Sequence, residues 1–521
     1  MTSSIEGVRS IPGALARSVQ RYPECIALEE GELRLTYAQL QHQARQIGRA
    51  LLALGVMPGD RVAIWAPNGH RWLLGALGSL MAGAVLVPLS TRLKAGEAAD
   101  ILRRSGARVL LSVGEFLDCY YPDLLCGHVL DDLQHSVVIE QARDGAFCWE
   151  DLLGEASSVA ESMLDVRIAA LHEQSLSDLM FTSGTTGYPK GVLCTHGQNL
   201  RLFDNWGAIV GLGSQDRYLI VNPFFHAFGF KAGWLAALIR GATILAQRTF
   251  DAEAVLQRIE RDRVSFLPGP PALYSAMLEH PRRADFDLSS LRVAVTGAAS
   301  VPPVLVQRMG SELGFANVVT AYGLTESCGL ATVCRPGDDV QTVANTCGRA
   351  LEGIEIRCVD GQGRTVAAGE AGEVLIRGFN LMQGYFNDDQ ATAEAIDADG
   401  WLHTGDVGIL DERGYLRITD RLKDMFIVGG FNCYPAEVER LLMEHPGVAQ
   451  VAVIGVPDAR QGEVGKAFVI RRPGANLEAQ ALIAWSRGQM ANYKVPRFVE
   501  FVESLPLNAS GKVLKRSLNP T

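Results

Sequence analysis

The chain has 521 residues, 48% of them hydrophobic and 20% charged, the composition of an ordinary soluble globular protein; no apolar run is long enough to span a bilayer. Its formal net charge of −10 argues against general nucleic-acid binding. Ten cysteines stand singly without a C-x-x-C pair, so neither a zinc site nor a disulfide framework is indicated, and a reducing cytoplasm is the expected setting.

At roughly 100–200 residues per domain, the length corresponds to about three or four structural units. The opening MTSSIEGVRS has no basic stretch followed by an apolar one, so no secretory signal is expected. A helical pattern, TYAQLQHQARQIGRALLALG, starts at Thr36. Short runs rich in Val, Ile and Leu and bounded by Gly or Pro then read as strands: RVAIWAP from Arg61, AVLVPLS from Ala84 and RVLLSV from Arg108. Residues 128–175, including CWEDLLGEASSVAESMLDV, read only as loop and helix surface. Strands resume at ATILAQ, RVAVTG and NVVTAYG, with the helix AEAVLQRIERDR among them. This alternation predicts an α/β fold of mostly parallel sheets covered by helices. From about 351 to 420, GIEIRCVD, GEVLIRG and GYLRITD are strands separated by Gly- and Asp-rich turns, the pattern of a small β-rich unit such as a barrel.

After Arg421 a compact α+β piece is expected. PAEVERLLMEH is a helix with Pro435 in its first turn, VAQVAVIGVPD and KAFVIRR are strands, and LEAQALIAWSRGQM is a second helix. The expected division is an N-terminal domain over 1–421 and a C-terminal domain over 422–521, joined by a tight hinge. Residues from Arg421 onward carry a net +4 and the remainder −14. A basic piece beside an acidic body can attract an anionic ligand, or it can simply be a solvated face.

Between Phe181 and Gly191 the sequence reads FTSGTTGYPKG. Gly184 and Gly187 allow backbone N–H groups to converge on phosphate oxygens. Thr182, Ser183, Thr185 and Thr186 add hydroxyl donors, and Lys190 adds a point charge suited to a β- or γ-phosphate. The register is not that of a Walker P-loop, because Pro189 stands where glycine is needed. The plain alternative is a surface turn.

FTSGTTGYPKG resembles the signature loop of the adenylate-forming superfamily, which contains acyl-CoA synthetases, peptide-synthetase adenylation domains and beetle-type luciferases. Five further segments match in the family's order, and the chain is identified as a member on the acyl-CoA synthetase, or fatty-acid–CoA ligase, side. The resemblance implies a large N-terminal domain of two mostly parallel α/β subdomains plus a small β-barrel, and a small mobile α+β C-terminal domain. VTAYGLTES at 319–327 resembles the adenine and metal segment: Ala321, Tyr322 and Gly323 against adenine, Thr325 on a phosphate oxygen, and Glu326 with Thr182 on Mg²⁺. Gly297, Ala298 and Ala299 match the loop lining adenine and acyl group. WLHTGD places Asp406 on the ribose, with Ile418 and Arg421 beside it, and Lys423 falls on the family's hinge. Gly429 and Gly430 in GGFNCYPAEVE match the pantetheine passage, and Lys512 in PLNASGKVLKR occupies the place of the adenylation lysine. Taken singly, these are also a helix cap, turn residues and a solvated tail lysine.

PFFHAFGFKAGWLAAL, from Pro223, follows the family's acyl-binding segment. The resemblance puts His226 at the acyl–pantetheine junction, and Phe225, Phe230 and Trp234 suggest an apolar pocket with Gly297. The segment has no aspartate to pair with an amino-acid ammonium, which disfavours amino-acid activation. Lys231 reads either as a lysine snorkelling from a helix end or as a countercharge for an oxygen on the acyl tail. FFHAFGFKAG and GGFNCYPAEVE are most similar to bacterial ligases for fatty acids and steroid-ring-derived propanoates. The implied reaction is a two-step carboxylic acid:CoA ligation, acyl-AMP plus pyrophosphate and then acyl-CoA, using ATP, Mg²⁺ and coenzyme A. Two other readings stay open: a free-standing adenylation enzyme loading a carrier protein, and a nucleotide-binding protein without catalysis, which the presence of Glu326 and Lys512 disfavours. A small-molecule acid and CoA are the implied partners, and a homodimer is compatible with the sequence.

Overall fold

The computed structural model describes residues 5–182, 189–297, 301–422, 424–428, 431–458, 460–490, 492–507 and 513–518. The chain forms two compact units, Met1–Glu355 with Arg377–Leu402, and Ile356–Ile376 with His403–Thr521.

Two sheets organise the first unit. One has seven strands in the order Gly384–Tyr385, Lys190–Thr195, Leu176–Thr182, Val85–Pro88, Arg61–Trp65, Ala107–Val113 and His135–Glu140. Its last five strands are parallel, and the first two pair antiparallel. Val85–Pro88 is buried along its whole length, as expected of a strand covered on both faces. The second sheet runs Leu33–Thr36, Ile26–Glu30, Thr243–Ala246 and Arg217–Ile220. Phe266 links it by parallel bridges to Val293–Gly297, followed by Asn317–Tyr322, Thr332–Val333 and Arg349–Ala350.

The expectation that 128–175 is only surface does not hold. His135–Glu140 adds a parallel edge strand next to Ala107–Val113, and Trp149, Leu152 and Leu164 are buried. HSVVIE is short and lacks the flanking glycine or proline that marked the other strands, so its parallel partner identifies it better than its own sequence does.

Helix Tyr37–Ala53 starts with a capping box between Thr36 and Gln39. Helix His196–Ile209 repeats the device with Thr195 and Gln198. Its first residue, His196, is fully buried. The Ile11 N–H donates to Nδ1 at 3.2 Å, which puts the proton of the neutral ring on Nε2; that atom has no partner among the described residues. Burial, aided by His172, pushes the imidazole from 6.5 down to about 3. The folded ring therefore stays neutral where the unfolded one takes a proton. This contribution is intact above about pH 6.5 and declines as pH falls toward about 3. By pH 5 the chain should lose ~2 kcal/mol of stability from this group. Urea unfolding at pH 7 and pH 5 tests it: His196→Gln should show a smaller pH-dependent loss than the parent, and an equal loss would assign the effect elsewhere.

The second unit holds all of strand Leu416–Arg421 and most of strands Ile354–Val359, Ala371–Gly378 and Leu402–Leu410, a four-stranded sheet at the place expected for the β-rich stretch. It also contains a five-stranded sheet. Phe431–Cys433, Phe426–Val428, Gly462–Arg471 and Val448–Asp458 are antiparallel neighbours, and Phe498–Phe501 lies parallel to Gly462–Arg471. Val438 and Leu442 of helix Pro435–Met443 and Leu482 of helix Ala479–Arg487 bury against Val453, Ala467 and Val469. The Asp420 carboxylate accepts the Ala436 N–H at 2.8 Å, fastening the end of one sheet to the first turn of that helix. No helix among the described residues is long and apolar enough to cross a membrane.

Candidate active site

The hydroxyl- and glycine-rich stretch is flanked by two paired strands. Leu176–Thr182 and Lys190–Thr195 pair antiparallel, with Thr182 opposite Lys190. Ser183, Gly184, Thr185, Thr186 and Gly187 lie outside the described residues. Thr182 and Lys190 are both half-buried, and the Thr182 hydroxyl donates to the Lys190 carbonyl at 3.4 Å. Lys190 Nζ sits 4.8 Å from the centroid of the Tyr385 ring, a cation–π distance. Tyr385 is fixed by pairing with Val192 on the same hairpin, and its hydroxyl donates to Glu326 Oε1 at 2.9 Å. Burial raises the phenol well above its usual range, and the Glu326 charge and hydrogen bond raise it further. Tyr385 is therefore a protonated donor at neutral pH. It is a candidate site residue that the sequence reading does not contain; the only local signal is the Gly-Tyr pair in MQGYFND.

Glu326 belongs to the single turn Thr325–Ser327, which follows the strand Asn317–Tyr322. The Ser327 hydroxyl accepts the Leu324 N–H at 2.9 Å, and the Glu326 carbonyl accepts the Met382 N–H at 2.8 Å. Tyr385 orients one carboxylate oxygen, while Oε2 has no partner among the described residues. Ala321, Tyr322, Gly323 and Thr325 are all half-buried. Gly297 ends the neighbouring strand Val293–Gly297, opposite Ala321. A Cβ on Gly297 would lie 2.6 Å from the Ala321 carbonyl oxygen, so the glycine is required for these two strand ends to approach. Ala298 and Ala299 lie outside the described residues.

The segment after Pro223 departs from a regular helix. His226 is exposed, and its Nδ1 accepts the Phe228 N–H at 3.2 Å, capping the turn Ala227–Gly229. Phe230–Leu235 forms a π-helical turn with Gly233 off helical geometry (φ −86°, ψ −108°), a distortion often found near functional sites. Phe225 is half-buried. Phe230 and Trp234 stack at 4.6 Å, and Trp234 meets Trp72 edge-on. Lys231 does not snorkel. It has no exposed surface, and its Nζ lies 2.9 Å from Asp178 Oδ1, an ion-pair distance without hydrogen-bond alignment. Burial opposes its charge, but Asp178 and the thiols of Cys194 and Cys328 outweigh burial and hold the ammonium above the usual lysine range. Elsewhere, Glu30, His70 and Glu140 bring ligand-type atoms within 4.8 Å of one another, but they form an ion-pair network: His70 pairs Glu30 at 2.7 Å and Arg248 pairs Glu140 at 2.5 Å.

In the second unit, Asp406 is buried on strand Leu402–Leu410, opposite Arg421. The preceding Gly405 has φ +68°, a left-handed turn that suits glycine, and its N–H donates to Glu373 Oε1 at 3.2 Å. The Thr404 hydroxyl accepts the Asp406 N–H at 3.0 Å and donates to the Val374 carbonyl at 2.7 Å. Ile418 is half-buried and pairs with Gly408 beyond a register shift. Lys423, Gly429, Gly430 and Lys512 lie outside the described residues. The flanking residues Leu507 and Val513 form an antiparallel bridge, and Lys515 pairs Glu439 at 2.8 Å.

The AMP-binding enzyme family matches residues 15–386, and the AMP-binding enzyme C-terminal domain matches residues 437–512. The chain is 52% identical over 515 residues to the 3-[(3aS,4S,7aS)-7a-methyl-1,5-dioxo-octahydro-1H-inden-4-yl]propanoyl:CoA ligase of Mycobacterium tuberculosis (strain ATCC 25618 / H37Rv), covering 99% of each chain. It is 39% identical over 521 residues to a feruloyl-CoA synthase of an Amycolatopsis species, covering 98% of each. Among solved structures it is similar to the anthranilate CoA ligase AuaEII in complex with anthranoyl-AMP, with TM-score 0.88 and 30% identity over 98% of this chain and 96% of that one.

Proposed function

The chain belongs to the AMP-binding enzymes as an ATP-dependent acid–CoA ligase, and we propose that its acid is a propanoate carried on a fused, oxygenated ring system. The observation behind this reading is the 52% identity, over 99% of both chains, to a ligase named for such a substrate. Fatty acids are the second choice, from the sequence resemblance.

In the proposed first step Thr182, Lys190 and the loop hydroxyls hold the β- and γ-phosphates while a substrate carboxylate oxygen attacks the α-phosphorus. The new P–O bond forms as the bond to pyrophosphate breaks, giving acyl-AMP. Such a reaction rests on alignment and charge neutralisation more than on covalent help from the protein. The half-buried Glu326 carboxylate, with one oxygen held by Tyr385 and the other without a partner among the described residues, fits a hard, oxygen-seeking cation. Glu326 and Thr182 would hold Mg²⁺, which when bound offsets triphosphate charge. Asp406 and Arg421 are assigned to the ribose, and Lys512 to the charge developing between carboxylate and α-phosphate. In the second step the CoA thiol attacks the acyl carbon and AMP leaves. The proposed division at 421–422, pivoting near Lys423, exchanges Lys512 for the Gly429–Gly430 face between steps.

Pyrophosphate release tests the substrate, using the bicyclic dioxo-propanoate, medium-chain fatty acids and ferulate, each with and without CoA. The ring propanoate should exceed the others by ~10-fold or more in kcat/KM. Acyl-CoA should appear only when CoA is present. A fatty acid used equally well would overturn the substrate, and acyl transfer to a carrier protein in place of CoA would overturn the acceptor.

A further inference from the structure

Four fully buried side chains close a ring inside the first unit. Lys231 Nζ lies 2.9 Å from Asp178 Oδ1 and 3.5 Å from Cys328 Sγ. The Cys328 thiol donates to Asn199 Oδ1 at 3.2 Å, and Asn199 Nδ2 donates to Asp178 Oδ2 at 2.6 Å. The Ser177 hydroxyl also donates to Asp178 Oδ2, at 2.7 Å.

Three of the four come from segments that lead to the site, and Asn199 joins them from helix His196–Ile209. Asp178 lies on the strand that ends at Thr182, opposite Cys194 on the strand that begins at Lys190. It stands about 14 Å along the strand from Thr182, at ~3.4 Å per residue. Cys328 follows Glu326 by two residues and holds a left-handed backbone, φ +59°. Lys231 occupies the π-helical turn that follows Phe225 and His226. At Gly329, next to Cys328, a Cβ would lie 3.0 Å from the Ala227 methyl, so the last two segments touch directly.

A buried ion pair gives little net stability over apolar residues of the same volume. What distinguishes this one is specificity: each charge must meet its partner, and the Cys328, Asn199 and Ser177 hydrogen bonds around it are directional, so the ring holds its members to one arrangement where apolar packing tolerates several. We propose that Lys231 is a positioning residue for adenylation, fixing the phosphate hairpin, the Glu326 turn and the acyl segment in one mutual geometry. The proposal rests on the site reading above. Misplacement on the scale of 1 Å between reacting groups can cost ~10²-fold in rate.

The test uses the full-length Lys231→Met/Asp178→Asn variant, which removes both charges and leaves an amide able to keep the Ser177 and Asn199 bonds. Acid-dependent ATP–pyrophosphate exchange should lose ~10-fold or more in kcat, with the ATP dissociation constant within ~3-fold of the parent. A folded variant with parental kcat would overturn the proposal. Cys328→Ala opens the ring while keeping the ion pair, and so covers the case in which the double variant does not fold. It should lose at least ~3-fold in kcat at an unchanged melting temperature, and parental kcat there also counts against the proposal. Glu326→Gln, run in parallel, separates the two readings: if its exchange is parental, the site reading has failed; if it is crippled while the ring variants are parental, only the positioning role has failed.

Discussion

Glu326→Gln is expected to slow acid-dependent ATP–pyrophosphate exchange by about 10²–10³-fold, the scale of losing one preorganised electrostatic contact in a transition state. The amide keeps the shape and can still accept the Tyr385 hydroxyl, so the fold and that 2.9 Å contact should survive. What disappears is the negative charge, and with it the affinity of the side chain for a divalent cation. Tyr385→Phe should cost less, about 10–100-fold, because it loosens the carboxylate without removing it. The double variant discriminates between mechanisms. If Tyr385 acts by orienting Glu326, then Glu326→Gln/Tyr385→Phe should be no slower than Glu326→Gln alone. Multiplied losses would mean that Tyr385 works independently, through the Lys190 ammonium 4.8 Å above its ring. A magnesium titration supplies the second readout: Tyr385→Phe should need more Mg²⁺ for half-maximal rate, and an unchanged requirement would remove Glu326 orientation as its role.

Much of this architecture was legible because it obeys local rules. Val-rich runs between helical patterns became parallel strands, and Thr182, Gly297 and Tyr322 end strands because their motifs follow strand-like sequence. Tyr385 escaped because its strand has only two residues and its partner, Glu326, is remote in sequence. The strand His135–Glu140 escaped because its identity comes from a partner strand rather than from its own punctuation. Lys231 was misjudged for a different reason. A lone cation in an aromatic run reads as a side chain reaching for water, and nothing in PFFHAFGFKAG reveals an inward-facing π-helical turn or the Asp178 carboxylate waiting behind it. Local periodicity cannot report a contact whose cause is tertiary.

That buried pair carries the second large effect. Lys231→Met should destabilise the chain by about 3–5 kcal/mol, because methionine fills much of the space while leaving the Asp178 carboxylate buried without its cation. The Ser177 and Asn199 donors remain, but two hydrogen bonds do not replace a neutralising charge in a fully buried site. In a domain of this size the loss corresponds to a fall in melting temperature of roughly 10 °C. Asp178→Asn should cost a comparable amount by stranding the ammonium instead. Combining the two removes both charges, so the double variant should be more stable than either single one, which requires a coupling larger than either single loss, about 3–5 kcal/mol or more, in a double-mutant cycle from thermal or urea unfolding. Additive losses would show that the two groups contribute separately, as packing volume. The distinction bears on catalysis as well as stability. If the neutral double variant regains its stability and still adenylates slowly, the pair's contribution to the enzyme is geometric, holding the hairpin, the Glu326 turn and the acyl segment in register at no net gain in folding energy.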